Sequence, residues 1–255
     1  MTTYLFLTLG GLLFGAMVYR YDMHEREPWW MLVAATVTGG AMMALAFVLE
    51  HLVLRAAIGS EWSYGNMTHR LMHATLAGVF EELGKLAVPV LILLLIRKHF
   101  NDPMDGLIYG SFAGLGAALY EAGWYQVNNV PAENPGVYQN FGDAFMRLFI
   151  HTIWGGIGGF ALGLIVMKKP WRRPLAQTVG IVILIHFAWD FFVGLVDEQH
   201  TFQRLIATGL LGGSVVWYGL LVVRANKWSR AMHAPQSKQR LAGRIVRAIL
   251  FRRFR

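Results

Sequence analysis

Glu81 and Glu82 stand side by side, with Lys85 one turn later, inside an apolar run from Leu71 to Ile96. Such a run is long enough to cross a bilayer. A carboxylate at that depth costs at least ~2.5 kcal/mol on the gentlest insertion scale, so ionisable groups there mark, by default, a functional site facing the bundle interior. Two close carboxylates in a dry site resist ionising together, so one pair can supply both a base and an acid. Lys85 follows Glu81 by four residues and Glu82 by three, within reach of either. Further polar groups interrupt other apolar stretches: Asp105 and Glu121, His151, His186 with Asp190 four residues on, and Glu50. A carboxylate at that spacing suits the orienting of an imidazole.

The elements that must position these groups are helices. The chain of 255 residues is 55% hydrophobic and only 15% charged, with a mean hydropathy of +0.42. Soluble domains carry about 25% charged residues, so the composition fits an all-α, polytopic transmembrane bundle. Seven spans are predicted: Thr3–Tyr19, Trp29–Leu52, Leu71–Ile96, Met104–Val127, Asp143–Met167, Leu175–Val196 and Arg204–Val223. The first lacks the basic start and small-residue cleavage site of a signal peptide and reads as a span. Counted at ~1.5 Å per residue from the outer ends, Glu81, Glu82 and His186 lie about 15 Å deep, His151 about 12 Å, Asp190 about 9 Å and Glu121 about 8 Å. Helices of opposite direction thus bring their polar groups to one layer. Glu50 and Asp105 fall near the predicted membrane edge and read as groups without a role in the site. Glycines every four residues, at 106, 110 and 114 and again at 155, 159 and 163, suit close helix packing and also offer a flexible gate.

Eighteen Lys and Arg flank the odd loops and the C-terminus, against four (Arg55, Arg70, Arg147 and Arg204) on the other side. This places the N-terminus outside and the C-terminus in the cytoplasm of a plasma membrane. Residues 1–223 form the membrane domain; residues 224–255 form a tail with ten basic residues and no acid. Within the tail, Leu241–Phe251 reads as an amphipathic helix on anionic lipid, or as a disordered basic segment; nucleic acid is not expected. The chain has no cysteine, which excludes disulfides and thiol chemistry.

The Glu-Glu-x-x-Lys of residues 81–85 resembles the signature of PrsW-type intramembrane proteases, relatives of the type II CAAX prenyl endopeptidases. The segment from Tyr19 to Pro28, ending in Glu-Pro, the glycine-rich run from Asp105 to Glu121, His151 followed by glycines, and His186-x-x-x-Asp190 match in order. The resemblance covers roughly residues 10–195. The family often has Asn where this chain has Asp190, which puts an oxyanion-stabilising role there in doubt.

The resemblance implies an endopeptidase that cuts a membrane-tethered protein, such as an anti-sigma factor, near the outer face. Peptide hydrolysis needs a base for water, a donor for the oxyanion and a proton for the leaving amine. Glu81 or Glu82 is the expected base, tuned by the other carboxylate and Lys85. His151 is assigned to the oxyanion or proton transfer, and His186 with Asp190 to positioning or a second donor. Glu121 is secondary. Catalysis is expected to need no cofactor, because His-Glu-x-x-His is missing and Lys85 opposes a nearby dication. The alternative is zinc held by the histidines and carboxylates. A proton- or ion-coupled transporter also buries such groups, but no internal repeat supports it.

Overall fold

A computed structural model describes residues 2–59, 63, 66–127, 141–167, 172–193 and 201–233. These form seven α-helices: α1 (Thr2–Tyr19), α2 (Trp29–Ile58), α3 (Met67–Leu95), α4 (Pro103–Val127), α5 (Phe141–Gly163), α6 (Arg172–Val193) and α7 (Thr201–His233). Two short 3₁₀ turns, Arg97–His99 and Leu164–Met167, follow α3 and α5. No strand occurs among the described residues.

The bundle is built around α4. Every residue from Asp102 to Ala118 is buried, and α4 packs against α1, α2, α3, α5 and α7. Over that stretch α4 is wrapped in protein and needs no strongly apolar exterior, whereas Trp124 and Val127 near its C-terminal end are exposed. The segments Trp29–Ile58, Ala144–Met167, Arg172–Phe192 and Leu205–His233 are long and apolar enough to cross a membrane. Their outward faces show why: Val33, Val37 and Leu52 on α2, Leu184 on α6 and Val216, Leu220 and Val223 on α7 are all exposed. Such a surface is matched to hydrocarbon.

Small residues set the distance between α4 and α5. A Cβ on Gly114 would sit 1.9 Å from the His151 carbonyl oxygen, and one on Gly110 2.2 Å from that of Gly155. Backbone therefore lies on backbone, as in other small-xxx-small interfaces. The expected gate in these glycine-rich helices gives way to a tightly packed, buried seam.

Helix ends differ from the sequence boundaries in ways that matter for the site. α2 runs on to Ile58 and stops at Gly59, whose φ of 74° suits glycine. α3 starts at Met67, where the Asn66 side chain accepts the N–H groups of Thr68 and His69. α7 continues to His233, through the predicted border after Val223. The amphipathic stretch at 241–251 lies outside the described residues.

Asp105 stands in the first turn of α4, near the helix edge as expected, but is 1% exposed. Its Oδ2 accepts the N–H groups of Asn101 at 2.6 Å and Asp102 at 2.8 Å, while Asp102 Oδ1 accepts those of Met104 and Asp105 at 2.6 and 3.2 Å. This reciprocal cap, with Pro103 in the first turn, fixes where α4 begins. Alongside, Tyr109 donates its hydroxyl to Glu27, and Asp22 accepts the Glu27 N–H at 2.9 Å. The Glu-Pro segment before α2 is thereby tied to the central helix. His233 Nε2 closes the cluster, 3.1 Å from both Glu25 and Asp102. Burial pushes the Asp22 carboxyl up to about 6 and the Glu27 carboxyl up to about 7.

Candidate active site

Away from that cluster, midway along α3, Glu81, Glu82 and Lys85 point inward, 5%, 4% and 2% exposed. They project toward α5 and α6 because those helices come close. A Cβ on Gly78 would lie 3.0 Å from the Ile183 carbonyl oxygen of α6. That approach lets His186 reach across, its Nδ1 lying 2.7 Å from Glu82 Oε1. The same oxygen takes the Lys85 ammonium at 2.5 Å. Glu82 is thus held between a cation and an imidazole.

Glu81 is held differently. Its Oε2 is buried without a hydrogen-bond partner. It faces His186 Nε2 at 3.6 Å and His151 Nδ1 at 3.9 Å. One ligand atom from each of Glu81, His151 and His186 can be chosen so that all three lie within 4.8 Å of one another. His151 Nδ1 also lies 3.2 Å from Lys85 Nζ, and its Nε2 3.0 Å from Glu121 Oε2. Glu121 in turn pairs with Arg147 of α5. Asp190 Oδ2 stands 3.4 Å from His186 Nε2, its side chain a quarter exposed.

The seven predicted site residues, Glu81, Glu82, Lys85, Glu121, His151, His186 and Asp190, therefore meet in one network drawn from four helices. Trp154 walls it. Fully buried, its ring centroid lies 4.9 Å from that of His186, and its Nε1 donates to Ser214 of α7 at 3.1 Å. A water-sized cavity beside Glu82 and Lys85 is lined by Trp154, Gly158 and Val182.

A family model described as PrsW family intramembrane metalloprotease matches residues 27–225. The chain belongs to the PrsW family. Among curated relatives named Protease PrsW, it is 29% identical to that of Halalkalibacterium halodurans, over 67% of this chain and 73% of the relative. It is 25% identical to that of Clostridioides difficile, over 68% and 71%, and 23% identical to that of Bacillus subtilis, over 69% and 75%. No solved structure matches the chain. This PrsW-family chain is a membrane-embedded, multi-pass membrane peptidase.

Three parts of the network escaped the sequence reading. Arg147, counted there as a loop charge, is the partner of Glu121. Trp154 follows His151 by three residues and so shares its helix face, a signal available but unused. Glu50, read as an edge group, is 6% exposed, with His73 Nε2 at 3.2 Å from its Oε1. The expected i,i+4 contact of His186 with Asp190 is present at 3.4 Å, and Glu82, which sequence spacing did not link to His186, lies nearer to the imidazole at 2.7 Å.

Proposed function

We propose that this chain hydrolyses a peptide bond in a membrane-tethered protein, near the outer face of a plasma membrane, with its N-terminus outside and its C-terminus in the cytoplasm. The observation that carries the reading is the buried, unpartnered Glu81 oxygen facing two imidazoles. A soluble folded substrate cannot enter such a site, but an extended juxtamembrane segment can. An anti-sigma factor fits that description.

The donor set fits a divalent cation. Glu81 Oε2 has no other partner, and the His151 and His186 rings flank it. Among the described residues, four carboxylates (Glu81, Glu82, Glu121 and Asp190) gather here, and the permanent cations paired with them are Lys85 and Arg147. Glu81, His151 and His186 would hold the ion, which would supply Lewis-acid polarisation of the carbonyl and of water. Glu82 accepts the Nδ1–H of His186 and so leaves the Nε2 lone pair facing Glu81, the usual outer-shell arrangement. Lys85 neutralises Glu82 and holds it in place. Glu121, anchored by Arg147, is placed to take a proton through His151 Nε2.

A second reading needs no ion and rests on the 3.2 Å contact of Lys85 with His151 Nδ1. There the ammonium occupies the place of a cation, and Glu81 itself takes the proton from water. Chelation followed by Zn²⁺ addition, with cleavage followed in detergent, separates the two. Loss and recovery of cleavage supports the ion; cleavage indifferent to both supports the bare carboxylate. A Glu81→Gln, Glu82→Gln double variant that still cuts at the wild-type rate would remove the protease reading and leave the transporter to be tested.

A further inference from the structure

Glu50 and His73 take no part in the chemistry just described, yet both sit on the outer side of it. His73 precedes Glu81 by eight residues on α3, so His73, Ala77 and Glu81 rise along one helix face. Their separation along the axis is about 12 Å. An extended chain advances about 3.3 Å per residue, so a strand leaving Glu81 outward passes His73 after roughly three to four residues.

Glu50 reaches this level from α2. Its Oε1 lies 3.2 Å from His73 Nε2 but is buried and has no aligned hydrogen bond. The His73 and Asp190 side chains are 28% and 25% exposed there. Polar surface at membrane depth is costly unless water or a polar partner covers it. Acidic side chains also converge on this level. Glu50 feels the fields of Asp190 and Glu121, and His73 those of Asp190, Glu121 and His186. Arg147, the nearby guanidinium, is already committed to Glu121 and stacked 4.5 Å from the Tyr125 ring.

We infer that Glu50 and His73 form a recognition subsite for a basic side chain of the substrate, three to four residues outward from the bond that is cut. The inference rests on the protease reading. A lysine or arginine there gives the Glu50 carboxylate the charge-assisted hydrogen bond it lacks, with Asp190 adding attraction. A glutamate at the same place meets two like charges in a site of low dielectric. Discrimination thus comes from repulsion as well as attraction.

The test uses the full chain in proteoliposomes. The probes are single-span peptides with a fluorophore and quencher either side of the outer boundary. Lys, Gln or Glu is placed in turn at each of the six residues outward of the mapped cut. The expected result is a Lys-over-Glu preference in kcat/KM, on the order of tenfold or more, peaking at the third or fourth residue. Glu50→Gln should collapse that ratio, and His73→Gln should reduce it. A ratio is unaffected by the fraction of protein that folds. Equal cleavage of Lys and Glu peptides at every position, or a ratio unchanged in Glu50→Gln, overturns the subsite while the protease reading stands. A Glu81→Gln control that cuts as fast as the wild type takes down the protease reading, and the subsite with it.

Discussion

Glu81 and Glu82 are neighbours in the chain and carry different burdens. Glu82 spends its charge on Lys85 and His186, whereas Glu81 keeps an oxygen free. The two glutamine substitutions should therefore separate. Glu81→Gln removes no ion-pair partner of Lys85, so its melting temperature should stay near that of the wild type while cleavage is lost. Glu82→Gln leaves the Lys85 ammonium, whose side chain is 1% exposed, buried without its counter-ion. Breaking a buried pair costs about 3–5 kcal/mol, so Glu82→Gln should melt well below the wild type. Adding Lys85→Met to it should restore much of the stability but not the activity. Arg147→Met should behave like Glu82→Gln, because it strands Glu121.

The helices set these distances, and two glycines on α4 make opposite predictions. Gly114→Ala places a methyl 1.9 Å from the His151 carbonyl oxygen, so α4 and α5 must part and His151 must move away from Glu81. Overpacking of this kind costs about 1–3 kcal/mol or more, and activity should fall with stability. Gly123→Ala meets nothing within 4 Å and should stabilise the helix by about 0.5–1 kcal/mol. Thermal unfolding of the two purified variants checks both. Helix ends also explain why Glu50 was misread. Ended at Leu52, the second span leaves Glu50 at the membrane edge; continued to Ile58, it carries Glu50 about two turns inside. Arg55 interrupts the apolar pattern over that last stretch, so hydropathy alone stops too early. The Glu-Glu-x-x-Lys run, His151 and the pair on α6 were legible for the converse reason. A charge in an otherwise apolar helix stands out without any knowledge of packing. Which partner each charge takes depends on helix approach at Gly78 and Gly114, and that is not visible in one helix at a time.

Among the described residues, polar groups gather at two levels. The site occupies one, midway along α3, and the cluster of Asp22, Glu25, Glu27, Asp102, Asp105 and His233 ties α4 and α7 to the first loop at the other. Its raised acids make a pH prediction. Asp22 and Glu27 hold protons more tightly folded than unfolded, so folding gains stability where they are protonated and loses it as they ionise. The loss should accumulate from about pH 4 to pH 7, as the pH climbs from the ordinary carboxylate range to their folded values of about 6 and 7. Glu27→Gln keeps an acceptor for Tyr109 and should flatten the fall in melting temperature over that range. A slope identical to the wild type's would contradict the assignment.

The free oxygen of Glu81, between His151 and His186, is the proposed place of peptide-bond cleavage. The most direct test is the full chain in proteoliposomes with a single-span peptide, the cut mapped by mass spectrometry in wild type and Glu81→Gln. The account predicts a single cut close to the outer membrane boundary, slowed at least about a hundredfold by Glu81→Gln with the melting temperature unchanged. Cleavage by Glu81→Gln at the wild-type rate and position would contradict it.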